Sequence, residues 1–300
     1  MILLKKNKKL ILLCSAIVIA VMILLLSPFK MIDGKLYNVN AEKLQISNRT
    51  LSKWDIRKLS KFKKVRVLEL NSCEAESIDF ISSMPELSEL IVHGKAYTNG
   101  PIIHDLTAVS SCSKLKKIRI LDMGLTDLSL FKDLPDLEQL DLSRNYIEDI
   151  SDISSLKNLK EICIWGDDIS DLSEFSALHD LKNATIFSKN LHDITPLTEI
   201  KSIECIIITS FGSGYQANGY IEIPDLSDCK NLKDIRLLSG SDADYSMLLS
   251  APALEKICVV SGRLSDKQRS EFVMRGIKID EVGEVTYPPK NSPPYPKKAK

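Results

Sequence analysis

Seven cysteines, four histidines and forty acidic side chains are the groups in this 300-residue chain that could act as nucleophiles, bases or metal ligands. Their spacing is not that of a site. His93, His104, His179 and His192 form no H-E-x-x-H pair and no other ligand spacing, and there is no P-loop, no G-x-S-x-G elbow and no G-x-G-x-x-G after a strand. Gly212-Ser213-Gly214 reads as a loop. Asp242-Ala243-Asp244 reads as half a calcium site without its following ligands, or as a solvated turn. The expectation is a chain that is not an enzyme and takes no cofactor or metal, although a site assembled from distant residues is invisible at this level. What is left is contact chemistry, carried by Trp165, Phe187, Ile207 and their neighbours.

Those residues acquire meaning from a repeat. Aligning on L-x-x-L-x-L places first positions at Val65, Leu87, Leu115, Leu137, Leu159, Leu181, Ile203, Leu232 and Leu254, mostly 22 residues apart. The fourth and sixth positions are apolar every time, as in Leu68/Leu70, Leu140/Leu142, Ile162/Ile164, Ala184/Ile186 and Ile257/Val259. Alternation at four and six is a short strand with one buried face. Ile147, Ile150, Ile153 and Leu156 recur every three residues, as in a tight 3₁₀ return. One such unit cannot bury its apolar side, so neighbours must stack into a parallel sheet with covered ends. Thr50 to Phe62, with Trp54, is the expected first cover, while Ser265 should cap a helix through Arg275 that Gly276 stops.

The stretch LEQLDLSRNYIEDISDISSL from Leu137 to Leu156 resembles the 22-residue leucine-rich repeat of internalin-like bacterial surface proteins. Ala41, Leu44 and Ile46 open a degenerate first repeat, and Met274, Ile277 and Ile279 close a last one. The resemblance implies an α/β solenoid, a curved parallel β-sheet with short 3₁₀ or helical return segments, and recognition of another protein, such as a host receptor. One departure stands out. The asparagine that closes the inner turn is present once, as Asn145, and is elsewhere replaced, for example by Cys73, Lys95 and Met123, so that turn should be less regular here.

In this register, positions three, five and seven face outward on the concave side. Position seven reads Asn71, His93, Leu121, Ser143, Trp165, Phe187, Thr209, Leu238 and Val260. Trp165 and Phe187 should stack on adjacent strands beside Cys163, Cys205 and Ile207, with Lys117, Arg119, Asp141 and Glu161 as a charged rim. This is either the centre of a protein-binding face or packing beneath an insert. Two repeats are long, with HGKAYTNGPIIHD from His93 and FGSGYQANGYIEIPD from Phe211, and the Asn-Gly pair in each predicts a small hairpin. Cys163, Cys205 and Cys258 fall two repeats apart, roughly 10 Å, whereas a disulfide needs Cα atoms within about 7 Å. Cys73, Cys112 and Cys229 have no partner in reach either, so six free thiols are expected beside Cys14.

The net charge of zero hides segregation. Residues 1–64 carry fourteen basic and three acidic side chains, residues 65–283 carry 22 and 36, and residues 284–300 carry four and one. The acidic repeats disfavour nucleic acid and anionic lipid. Leu10 to Leu26 is uncharged and follows Lys5, Lys6, Lys8 and Lys9, which reads as an uncleaved signal anchor or a signal peptide with its N-terminus inside. The organisation is then 1–29 cytoplasmic lysines and membrane or signal segment, 30–64 basic linker, first repeat and N-terminal cap, 65–264 repeats, 265–283 C-terminal cap, and 284–300 a disordered Pro/Lys-rich tail. The expected place is the cell surface, single-pass with the repeats outside, or outside the cell after cleavage. Lys53, Arg57, Lys58, Lys61, Lys63 and Lys64 either rest on anionic headgroups or wall polymers or form the solvated face of the cap helix. The readings compatible with all this are a binding module and a structural spacer.

Overall fold

The computed structural model describes residues 28–95, 102–166, 169–188, 190–209, 221–238, 244–260 and 262–282. Eleven parallel strands form one sheet in sequence order, from Lys43–Ser47 to Lys278–Val282. The apolar fourth positions meet strand by strand: Leu44 with Leu68, Leu140 with Ile162, Ile162 with Ala184, Ala184 with Ile206, and Ile235 with Ile257. A single buried cluster runs along this ladder, because each inward side chain is sealed by the repeats on both sides.

The chain returns through 3₁₀ segments such as Asp79–Ser83, Thr107–Ser111, Ser151–Ser155 and Ser173–Ala177, and through one α-helical turn, Thr195–Thr198. An Asp-x-Ser/Thr pattern that the sequence reading passed over starts these turns. The carboxylates of Asp105, Asp127, Asp149, Asp171, Asp193, Asp225 and Asp244 accept from the backbone N–H two residues on, at 2.8 to 3.0 Å. Asp244 is thus a turn-former, whereas Asp242 and Ala243 lie outside the described residues.

The inner turn is closed in several ways. Buried Asn145 accepts from the N–H of Met123 and Leu125 and donates to the carbonyls of Ile120 and Leu142, tying two repeats together. Cys73 replaces it by donating its thiol to the Ile46 carbonyl at 3.3 Å. Gly94 and Gly166 allow the backbone of a neighbouring repeat to approach: a Cβ on Gly166 would stand 2.0 Å from the Ile147 carbonyl oxygen.

The ends are covered as expected in outline. A helix over Lys53–Leu59 has a capping box between Ser52 and Asp55, and one over Asp266–Met274 has the same device between Ser265 and Gln268. A hairpin of Phe29–Ile32 and Lys35–Asn38 packs beside the first helix. Two details differ from expectation. Trp54 is 69% exposed and not part of the packed cover. The last rung pairs Ile279 with Ile257, so Ile279 takes position four and not six, and Met274 is a 78% exposed helix residue. Gly276, at φ 75°, ends that helix and turns Ile277 back onto Phe272, which shifts the frame by two residues. The Asn99-Gly100 turn expected in the first insert lies outside the described residues; after it, Ile103–Asp105 adds in parallel to Glu74–Ser77, which pairs with Thr50–Leu51, in a second three-stranded sheet. Leu10 to Leu26 and the tail lie outside the described residues, and among the described ones no helix is long and apolar enough to cross a membrane.

Candidate protein-binding face

The strands Glu161–Trp165, Asn183–Phe187 and Cys205–Thr209 occupy the middle of the sheet and present positions three, five and seven outward. Strand alternation puts Ile162, Ile164, Ala184 and Ile186 into the core and leaves Cys163, Trp165, Thr185, Phe187 and Ile207 on the opposite face, each partly exposed. Trp165 pairs directly with Phe187 across the ladder, and their rings lie 4.5 Å apart between centroids at 44°. Such a tilted contact contributes about 1 kcal/mol beyond area burial.

Charged pairs bound this apolar centre on both sides. Arg119 Nε lies 3.1 Å from Asp141 Oδ2, and Asp141 Oδ1 accepts from the Ser143 hydroxyl, which stands 3.1 Å from the Cys163 sulfur. On the far side Arg236 Nη2 lies 2.7 Å from Asp234 Oδ2, with Asp234 beside Cys205 and Arg236 beside Ile207. Asp234 and Arg236 were missed as members of this face, although they stand at outward positions three and five of their repeat, in the columns that contain Glu161 and Cys163. Lys117 and Glu161 are exposed at position three, at the margin. Leu121 is a correction: at 7% exposure it offers packing and no contact area. Outward positions close again near the C-terminal end, where Thr209, Cys258 and Val260 are buried. The second insert lies outside the described residues from Phe211 to Tyr220, and where it becomes described Ile221 and Ile223 are buried.

The thiols here are not poised to react. Burial, more than Asp141, pushes Cys163 up to about 11. Burial and then Asp234 raise Cys205. Both are neutral at physiological pH, when a nucleophile would need the thiolate. The six described cysteines are unpaired, and Cys163 faces Thr185, which faces Ile207, so no neighbouring rung supplies a second sulfur at that position. At the upper end of the strands burial, then Arg119 and Arg144, hold the His93 imidazole below its ordinary value.

Residues 135–177 match the family model of Leucine Rich repeats (2 copies). The fold is similar to the crystal structure of an internalin C2 from Listeria monocytogenes, at 18% identity over 73% of this chain and 80% of that one, with a TM-score of 0.50. It is also similar to an internalin, inlF, from the same bacterium, at 15% identity over 84% and 86% of the two chains and a TM-score of 0.52. A third likeness, to the functional domain of InlJ from Listeria monocytogenes, whose structure includes a cysteine ladder, has 14% identity and a TM-score of 0.54, and covers 81% of this chain and 54% of that one. No curated protein sequence matches this chain. Identities this low speak to architecture. Ladder register, 3₁₀ returns and matched repeats together make this chain a leucine-rich repeat solenoid, internalin-like in fold.

Proposed function

We propose that the chain is a non-catalytic recognition module that binds a protein partner through the middle of its concave face, held at the cell surface by Leu10 to Leu26 or released after cleavage there. The observation that carries this reading is the Trp165–Phe187 pair, partly exposed at the centre of the sheet and framed by Arg119–Asp141 and Arg236–Asp234. Interfaces draw most of their energy from such central aromatics, while charged rims steer and orient the partner. A spacer needs neither. The partner is expected to be basic or neutral, because residues 65–283 carry fourteen more acidic than basic side chains.

The test is capture of partners by the chain and by a Trp165→Ala/Phe187→Ala variant. The partner should dissociate more readily from the variant, by roughly 2 kcal/mol or about thirtyfold in Kd. Undiminished binding would move the interface elsewhere, and a variant that unfolds would make the pair part of the core.

A further inference from the structure

We propose that the N-terminal cap is a docking surface for an anionic lipid bilayer, which stands the solenoid on its first repeat. The observation is a set of large apolar side chains left in water at this end: Phe29 at 47% exposure, Met31 at 54%, Leu36 at 61% and Trp54 at 69%. In the hairpin, Met31 lies opposite Leu36, and Phe29 is two residues before Met31, so all three share one face, while Ile32 on the other face is fully buried in the core. The helix adjoins that hairpin. Lys58 donates its ammonium to the Met31 carbonyl at 2.8 Å, and Trp54 lies one turn before Lys58 on the same stripe, with the Arg57 guanidinium 5.1 Å from its ring.

Charge selects the occupant. Residues 28–64 carry ten basic and three acidic side chains, among them Lys30, Lys35, Lys53, Arg57, Lys61, Lys63 and Lys64, whereas the repeats are acidic. Exposed tryptophan and aliphatic groups beside lysine and arginine are the composition of a surface that sits at the headgroup boundary. The apolar run Leu10 to Leu26 ends two residues before the hairpin, at Ser27 and Pro28. The opposite end of the solenoid provides the contrast. Met247, Val273 and Met274 are exposed there, yet residues 262–282 carry five basic and four acidic side chains, with Arg269 on Glu281 at 2.9 Å and Lys267 near Glu271. The described residues of that end are close to neutral and offer an anionic surface little attraction, and the repelled acidic ladder between the two ends would point away from the bilayer, concave face free.

The inference rests on the membrane reading of Leu10 to Leu26 for delivery to the bilayer, and the experiment separates the two. The full chain is reconstituted in vesicles of phosphatidylcholine with or without phosphatidylglycerol, with brominated acyl chains as quencher, beside its Trp54→Phe variant. The difference between the two proteins reports Trp54 alone. Trp54 emission should shift to shorter wavelength and be quenched in the anionic vesicles, and the effect should weaken in high salt. Arg57→Glu and Lys61→Glu should each lower the docking equilibrium roughly fivefold or more, without changing flotation of the chain with the vesicles. Flotation with Trp54 unquenched overturns docking and leaves the anchor. Equal quenching without phosphatidylglycerol overturns the anionic preference. Failure to float overturns both readings, and protection of Trp54 that needs no vesicles but grows with protein concentration assigns the patch to a second copy of the chain.

Discussion

The two tryptophans of this chain were given opposite parts by position along the solenoid. Trp165 ends a central strand, meets Phe187 on the next strand and is partly sheltered, with Gly166 immediately after it. Trp54 belongs to the cap helix and is 69% exposed, with only Arg57 over its ring. A central repeat has a neighbour on either side, and a terminal one has a neighbour on one side only. The same side chain is therefore a fixed feature of a relief in one place and an unclaimed apolar surface in the other. Shelter in the middle implies sensitivity to shape, and exposure at the cap implies tolerance.

The comparison can be pressed hardest at the glycines. Gly166→Ala forces a Cβ to within 2.0 Å of the Ile147 carbonyl oxygen, a backbone atom that cannot turn aside as the nearby Ile169 side chain can, and should lower unfolding free energy by about 3 kcal/mol or more in denaturant titration. Gly34→Ala in the cap hairpin, where nothing lies within 4 Å, should cost only the left-handed backbone preference at φ 76°, about 1 kcal/mol. Equal effects would erase the distinction between ladder and cap. Next in size, Trp165→Ala should cost about 2 kcal/mol in the same titration while the chain stays folded, since a partly exposed ring loses less than a buried one.

Alkaline pH sharpens the contrast by another route. Burial raises Cys163, and likewise Cys229, from 9.0 to about 11. A thiol whose folded value lies above its unfolded value contributes stability that is complete below pH 9 and is lost as pH rises toward 11. Residues 28–64 contain no cysteine, and the group raised by burial there, Tyr37, starts from a higher ordinary value of 10.0 and so responds later. Thermal stability should fall across that window, less so in Cys163→Ala, and hydrogen exchange should quicken around Glu161–Trp165 before the cap; simultaneous loosening of both would count against it. The smallest effect expected is that of Trp54→Ala on folding, within about 0.5 kcal/mol, measured by the same denaturant titration. A larger cost would mean that Trp54 is part of the cover after all.

Much of this was legible in the residues. Position-four rungs from Leu44 to Ile257 occur as read, because an apolar period of 22 recurs too often to admit a second register. Reading failed where local turn chemistry overrode the period. Gly276 reset the last rung, and the residues after the first insert joined a second sheet whose strands are too short to announce themselves. The candidate face was half legible: alternation identifies Leu121 and Trp165 as outward alike, yet one is buried and the other partly open. Asp234 and Arg236 come after the long second insert in the chain and meet Cys205 and Ile207 through the ladder pairing.

The amino-acid sequence alone determined the repeat, its stacking direction, the segregation of charge and the separation of the cysteines, since all four follow from spacing and residue type. Only the tertiary structure decided which outward side chains meet solvent. Exposure is set by what neighbouring segments cover, and coverage depends on turns and caps that a repeating pattern does not encode. Trp54, exposed against expectation, and Leu121, covered against expectation, are the two sides of that limit.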